Sequence, residues 1–317
     1  MRLSAPIAVL DEHPEWSTRL IAELERRRLP FEKIDHSNHA FDPRDRSPRY
    51  SVAVNRTSPS SHRRGHGGVL FYAEALLEHF AATGVPVING VAAYRFEKSK
   101  ALQLELFERS GLPYPRAIVV NHREQLLKAT EGLAFPVVVK PNVGGSGAGI
   151  VRFDTREQLA AAADLDFGPD GTALVQEYLE AEGGAIVRVE VLDGRCLYAI
   201  RIVRGADFNL CPADVCRVPG PDGAAGCPAT PGLDVRRIEA PAAAVAGAIA
   251  LTRAASIDVG GVEYLVNRLD GRVYYYDVNA TSNFVANAPA VVGFDPVSEL
   301  ADSIERVATG AGRRAAA

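Results

Sequence analysis

The stretch that decides the fold is FPVVVKPNVGGSGAGIVRF, residues 135–153. A β-branched run ends at Lys140, glycines crowd the next positions, and apolar residues resume at Ile150, so the pattern predicts two strands joined by a glycine-rich tip. Glycines let backbone amides approach phosphate oxygens, and the lysine can neutralise an anion held below the loop. The stretch therefore predicts a phosphate-binding hairpin, although a merely flexible hairpin has the same local pattern.

Two other phosphate-binding motifs do not fit this stretch. No Gly-Lys-Ser/Thr follows the glycines, which excludes a Walker loop. A strand rather than a helix follows them, which disfavours the dinucleotide fingerprint. A dinucleotide-binding reductase is therefore a weaker interpretation.

A second predicted hairpin carries acidic side chains on the strands that flank the Asp270-Gly271 turn. Period-two alternation places Glu263 on one strand, and Asp277 and Asn279 on one face of its partner. Mg²⁺ prefers such oxygen ligands together with phosphate oxygens. A solvated acidic face is the alternative. Because unpaired carboxylates among these apolar neighbours would be costly, the sequence favours a magnesium site.

A third candidate element is Gln176-Glu177-Tyr178-Leu179, at the end of a short apolar strand. The backbone groups of a strand edge can bind adenine, and acidic side chains just beyond can bind ribose hydroxyls. Taken alone, the segment is more typical of a strand that leads into a turn.

The first ninety residues alternate between strand and helix patterns. Apolar strands are predicted at 6–10, 50–54 and 85–89, with helices at 14–28 and 69–82. This order favours a small parallel sheet covered by helices. A helix at 98–109 follows, and beyond about residue 180 the chain is mostly strand apart from a long loop at 205–232. We therefore predict three domains, at 1–90, 91–180 and 181–317.

Composition narrows the function classes. The chain has 317 residues and a net charge of −4, so no basic excess points to nucleic acid or to a membrane surface. No apolar stretch is long enough to span a bilayer, and no signal peptide is predicted, so we expect a cytoplasmic protein with reduced cysteines. The spacing of Cys211, Cys216 and Cys227 does not match a paired zinc motif, and their role stays open, as does the oligomeric state.

In their order and spacing over residues 90–300, these elements resemble the ATP-grasp superfamily, and within it the RimK-like glutamate ligases and bacterial glutathione synthetases. The resemblance implies an α/β chain, α+β in its C-terminal part. Its ATP-grasp fold would have a small N-terminal parallel α/β domain, a central lid-like domain and a C-terminal antiparallel-sheet domain. It also implies ATP and Mg²⁺ as cofactors, with Mn²⁺ able to replace Mg²⁺.

The resemblance also assigns roles by position. The implied nucleotide-binding residues are Lys100, Lys140, Gly144, Gly145, Ser146, Gly147, Gln176, Glu177, Tyr178 and Leu179. The implied metal ligands are Glu263, Asp277 and Asn279, and the residues implied to face phosphate and substrate are Arg188, Arg201 and Asn209. Ile186 stands where relatives often carry an acidic ribose ligand, so we expect Glu182 or Glu180 in that role.

The implied activity is an ATP-dependent carboxylate–amine ligase that works through an acyl phosphate. Its substrates would be a small-molecule or peptide carboxylate and an amine, with a homo-oligomer as a further expectation by analogy. The alternatives are an ATP-grasp phosphotransferase, a ligase with a non-amine acceptor, and a nucleotide-binding regulatory protein without ligase activity.

Asn55 and Arg56 are the candidate substrate residues, at the end of a predicted N-terminal strand. Ligands of open α/β sheets sit beyond the carboxyl ends of the strands, and arginine forms bidentate pairs with carboxylates. We therefore predict that Arg56 binds a substrate carboxylate. A solvated loop arginine is the alternative.

Overall fold

A computed structural model describes residues 3–13, 15–145, 147–203 and 233–310. It contains three sheets in chain order, a parallel one followed by two antiparallel ones. This architecture confirms the predicted fold class. Across the described ranges, no helix is both long and apolar enough to cross a membrane.

The N-terminal sheet is parallel, in the order β2-β1-β3-β4. Its strands are β1 (Ile7–Asp11), β2 (Phe31–Asp35), β3 (Val52–Asn55) and β4 (Val87–Ile88). Helices α1 (Thr18–Arg26) and α2 (Val69–Ala82) cover it. The sequence predicted three of these strands and missed β2, which lies at the edge of the sheet and buries only Ile34.

Two helices lead from this sheet to the next, α3 (Val91–Glu97) and α4 (Lys100–Arg109). The sequence predicted one helix from residue 98. The break lies at Ser99, whose side-chain oxygen accepts a hydrogen bond from the backbone amide of Leu102 and so begins a new helix. Lys100 therefore occupies the first turn of α4.

The central sheet has the order β5-β8-β6-β7. Its strands are β5 (Ala117–Val120), β6 (Val137–Pro141), β7 (Val151–Phe153) and β8 (Ala173–Glu177), and the short helices α5 (Leu126–Ala129) and α6 (Arg156–Ala161) accompany it. Strands β6 and β7 pair antiparallel on either side of the glycines, which confirms the predicted hairpin.

The C-terminal sheet is antiparallel, in the order β11-β10-β9-β12-β13. Its strands are β9 (Ala181–Leu192), β10 (Arg195–Val203), β11 (Asp234–Ile238), β12 (Val259–Asn267) and β13 (Val273–Asn279). The helices of this part are α7 (Ala242–Ala254), α8 (Ala288–Val292) and α9 (Pro296–Ala308). The predicted hairpin at 262–278 is therefore confirmed as β12 and β13, with bounds a few residues wider.

The N-terminal and C-terminal sheets share one apolar core. Val9 and Val52 of the parallel sheet belong to the same buried cluster as Ile186 and Ile200 of the antiparallel sheet and Ile304 of α9. The last helix thus packs back on the first part of the chain. Residues of the two sheets therefore lie on either side of one core.

Candidate active site

Two lysines mark the centre of the site. Lys140 lies one residue before the end of β6 with only 5% of its surface exposed, and Lys100 begins α4. Burial and the positive charge of Lys100 lower the pKa of Lys140 to about 7. Burial also disfavours the charged form of Lys100, but Asp277 outweighs it and raises the pKa of Lys100 above its usual value. The pair therefore forms a cationic centre that an anion would stabilise.

Three charged residues lie in a row across the C-terminal sheet. Arg188 on β9 faces Glu263 on β12, which in turn faces Asp277 on β13. Arg188 Nη1 donates to Glu263 Oε1 at 2.8 Å, and Lys100 Nζ donates to Asp277 Oδ1 at 2.9 Å. The Tyr276 hydroxyl donates to Glu263 Oε2 at 2.9 Å. The predicted cross-strand acidic pair is thus formed, and each carboxylate faces a cation.

The two carboxyls differ in their electrostatic environment. Burial raises the pKa of Glu263 despite the Arg188 guanidinium beside it. Burial also tends to raise the pKa of Asp277, but the Lys100 ammonium outweighs it and holds the pKa of Asp277 below its usual value. Asp277 is therefore the carboxylate that stays ionised most readily.

The residues present fit a Mg²⁺ ion. Asn279 lies two residues beyond Asp277 on the same face of β13, and its side-chain nitrogen is buried without a hydrogen-bond partner among the described residues; its Oδ1 is the atom that could bind a metal. Within the same ranges, no group of three or more His, Cys, Asp or Glu side chains suits a metal. Two carboxylates and an amide match instead a Mg²⁺ ion that takes its remaining ligands from phosphate oxygens and water.

The glycine-rich tip closes over the lysines. Gly144, Gly145 and Gly147 line the same pocket as Lys100, Lys140 and Asp277, and the predicted Ser146 lies outside the described residues. Asn142 fixes the base of the tip, because its Oδ1 accepts from the backbone amide of Ala101 at 2.8 Å and its carbonyl accepts from that of Lys100 at 3.2 Å. Both lysines are thereby held at one end of the cleft.

A less polar pocket continues from this one. It is lined by the predicted hinge residues Gln176, Glu177, Tyr178 and Leu179, and by apolar side chains that include Val138, Ile186 and Leu265. Lys140, Ile150 and Tyr276 line both pockets, so the two form a single cleft.

Within this second pocket, the hinge side chains have different roles. Gln176 is buried, and its Oε1 lacks a hydrogen-bond partner within the described part of the chain. Glu177 Oε1 accepts from the backbone amide of Ala134 at 2.9 Å, so this carboxylate holds the turn before β6. The Arg152 guanidinium lies 4.3 Å from the centroid of the Tyr178 ring. Gln176 is thus the hinge side chain with an acceptor to offer a ligand.

Not every predicted residue is brought to the cleft. Arg201 pairs with Val187 in the register of β10 and β9, so its side chain lies on the face opposite to Arg188. It donates to the carbonyl of Gly183 at 3.3 Å. This placement does not support a direct role for Arg201, which stays a prediction. Asn209 lies outside the described residues.

The two candidate ribose ligands lie on exposed backbone. Glu182 belongs to the exposed start of β9, while Glu180 forms an ion pair with Arg268. Neither is among the residues that line the less polar pocket. A ribose role for either one stays a prediction.

The candidate substrate residues are buried rather than solvated. Arg56 Nη1 donates to the carbonyl of Ser282 at 2.7 Å, and Nη2 donates to the Asn283 side chain. Arg188 Nη2 donates to the hydroxyl of the same Ser282 at 3.3 Å. Asn55 uses its amide to hold Asn89 and Thr57. Arg56 is therefore connected to the charged row through one residue.

Sequence reasoning missed Gly261 and Glu190. A Cβ added at Gly261 would overlap the Arg188 guanidinium, so the absence of a side chain there makes room for it. Glu190 Oε1 accepts from Arg188 Nε at 2.6 Å. Arg188 and Glu190 are two residues apart on β9, and this spacing could have indicated that their side chains share one face of the sheet. The need for glycine at position 261 comes from Arg188 on the neighbouring strand β9, so it has no signal in the local sequence.

Comparison with known proteins finds similar sequences among ligases. The family model "D-ala D-ala ligase C-terminus" matches residues 106–209. A probable alpha-L-glutamate ligase from Marinomonas sp. (strain MWYL1) is 29% identical over 157 residues, which is 49% of each chain. The chain spans about half the length of the curated relatives it matches.

Solved structures share the fold over nearly the whole chain. The D-cycloserine synthetase DcsG superposes with a TM-score of 0.69 at 18% identity, covering 96% of this chain and 100% of its own. The ATP-grasp ligase PsnB, complexed with a phosphomimetic variant of its minimal precursor, Mg and ADP, gives 0.66 at 18% identity and covers 97% and 100%. The superpositions show that the chain has the fold of ATP-grasp ligases, and the family model and the curated relatives that it resembles are likewise those of ligases.

Proposed function

We propose that the protein is an ATP-dependent carboxylate–amine ligase, which forms an amide or peptide bond through an acyl phosphate and releases ADP and phosphate. The observation that carries the proposal is the single cleft shared by three features. A buried lysine pair lies under a glycine-rich tip, Asp277 at one end of the row of paired charges lines the same pocket, and a less polar pocket continues from it. The ligase names of the relatives support the same activity.

Each part of the cleft suits one part of Mg-ATP. The pocket that contains Gln176 would bind adenine, because its unpartnered Oε1 can accept from the exocyclic amine. Lys100, Lys140 and the amides of the tip would bind the phosphates. Glu263, Asp277 and Asn279 would hold Mg²⁺ or Mn²⁺, which when bound neutralises phosphate charge and aligns the transferred group.

The chain's own residues would act mainly by position and charge. The substrate carboxylate attacks the γ-phosphorus, ADP departs, and an amine then displaces phosphate from the acyl carbon. Arg188 is held in one orientation between Glu190 and Glu263, and its guanidinium would stabilise the negative charge that develops on the transferred group. Lys140 would become fully protonated against the phosphates, since their charge favours its ammonium form.

The substrate side is proposed to lie toward the N-terminal sheet. Arg56 and Arg188 both donate to Ser282, so a carboxylate bound near this residue would lie beside two guanidinium groups. We retain Arg56 as the proposed anchor of the substrate carboxylate, with Asn55 shaping the loop around it. The names of the relatives make L-glutamate, D-alanine and peptides the first substrates to test.

The decisive measurement is ADP release from the purified full chain with Mg-ATP, carboxylates and amines, each alone and in pairs. A ligase shows turnover that requires both substrates, with amide formation by mass spectrometry. Asp277→Asn serves as the control, because it removes one proposed metal-binding carboxylate while preserving side-chain shape.

Other outcomes would point elsewhere. ADP release that needs only an alcohol would favour the phosphotransferase. ATP binding without turnover on any pair would favour the regulatory protein. Normal turnover by Asp277→Asn would reject the assigned metal site.

A further inference from the structure

The strand that carries Asp277 and Asn279 lies at the edge of the C-terminal sheet, because β13 pairs with β12 alone in the sheet order. At residue 278 the free edge is covered by a side chain. Gln103 Nε2 donates to the Val278 carbonyl at 2.8 Å, and the Val278 amide donates to Gln103 Oε1 at 3.1 Å. These are the two hydrogen bonds that a neighbouring strand would otherwise supply.

Gln103 is fully committed to this contact. Only 2% of its surface is exposed, and its Nε2 also donates to the Phe96 carbonyl at 2.9 Å. Such a buried amide holds its partner in one geometry, because a shift of either group would leave buried polar atoms unpaired. The side chain therefore joins the middle of α4 rigidly to β13.

The contact between Gln103 and Val278 lies between two proposed metal ligands on β13. Val278 lies between Asp277 and Asn279, which alternation places on the same face. On the far side of Asn279, the Ala280 amide donates to Glu97 and the Ala280 carbonyl accepts from Asn89. The backbone on both sides of Asn279 is thus bound by buried side chains from outside the sheet.

We propose that Gln103 is a positioning residue that fixes the spacing and direction of the Asp277–Asn279 pair for metal binding. The inference rests on the proposed function, since it assigns Gln103 a part in the same site. Mg²⁺ tolerates little departure from octahedral geometry. A twist of the backbone at residue 278 would turn both flanking side chains, and Gln103 prevents that twist. The same helix also brings Lys100 to Asp277.

The test is Mn²⁺ binding to the full chain in the presence of ADP, followed by electron paramagnetic resonance of free Mn²⁺. Gln103→Leu removes both hydrogen bonds to Val278 at similar volume. We expect it to weaken Mn²⁺ binding about tenfold or more, the range found when groups that orient metal ligands are removed. ADP affinity measured in EDTA should stay at the wild-type value, because Gln103 does not line the nucleotide cleft.

Leu106→Ala is the matched structural control. Leu106 lies on the same helix and is buried in the same apolar cluster as Val278, so its truncation weakens the packing there but leaves both hydrogen bonds between Gln103 and Val278 in place. We expect this variant to lose thermal stability and to keep wild-type Mn²⁺ affinity. If the two variants lose Mn²⁺ affinity alike, Gln103 acts only through stability and the inference fails.

Gln103→Glu decides the question if Gln103→Leu does not fold. It keeps the acceptor for the Val278 amide but turns a carboxylate oxygen toward the Val278 carbonyl, so Mn²⁺ affinity should again fall. Wild-type affinity in either folded variant would overturn the inference. Failure of the unmodified chain to bind Mn²⁺ with ADP would instead reject the proposed function.

Discussion

Replacing Lys140 by methionine should make the protein more stable at neutral pH. Burial and the charge of Lys100 lower the pKa of Lys140 to about 7 in the folded chain, against about 10.4 for an unfolded lysine. At or below pH 7 this difference costs the folded state up to about 5 kcal/mol. Methionine has similar length without the charge, so we expect a gain of about 1–3 kcal/mol after relaxation of the site.

The sign of the pH dependence is a sharper test than the magnitude. Between pH 7 and about pH 10 the unfolded lysine binds more protons than the folded one, so the stability contributed at Lys140 rises with pH. The advantage of Lys140→Met over the wild type should therefore be largest near pH 6.5 and shrink toward pH 10.

Urea unfolding of both proteins at several pH values measures this difference directly. The variant should also bind ADP more weakly, because it lacks the ammonium that faces the phosphates. A methionine variant that is less stable at pH 6.5, or whose advantage does not change with pH, would refute the argument from burial.

Three further substitutions test the site. Gly261→Ala should displace Arg188 from Glu263, because the added Cβ would overlap the guanidinium. The loss of one transition-state contact should lower kcat at least tenfold in steady-state assays. A wild-type kcat would contradict the assigned role of Arg188. Arg56→Ala should raise the KM for the carboxylate substrate with little change in the KM for ATP, and equal changes in both would argue against substrate anchoring. Arg201→Ala should keep a near wild-type kcat because its side chain lies on the opposite face, and a large fall would restore the sequence-based expectation.

Much of the fold could be predicted because its strands are apolar or bounded by glycine and proline. The hairpin around the glycine tip and the β12–β13 hairpin follow from such local patterns. Strand β2 could not, since its sequence FEKID is mostly charged and it owes its conformation to pairing with β1. Local propensity carries little information on an edge strand whose side chains face solvent.

Some residues of the site could be predicted from local sequence, and others could not. Glu263 and Asp277 could be predicted from alternation alone, and the register confirms that they face each other. Arg201 shows the limit of such reasoning. It pairs with Val187 and not with Arg188, so its side chain lies on the opposite face of the sheet. The roles of Gln103 and Gly261 depend on which element lies beside them. Such contacts between distant parts of the chain have no local signature.

The contacts around α4 have a consequence for the central sheet. Asn142, which follows β6, binds the backbone amides of Lys100 and Ala101 at the start of this helix. The Pro113 carbonyl, between α4 and β5, accepts from the backbone amide of Tyr275 on β13. Because Lys140 is only two residues from Asn142, its position relative to Lys100 is fixed over a short length of chain. We expect any displacement of the central sheet to move this lysine pair less than the tip near Gly147.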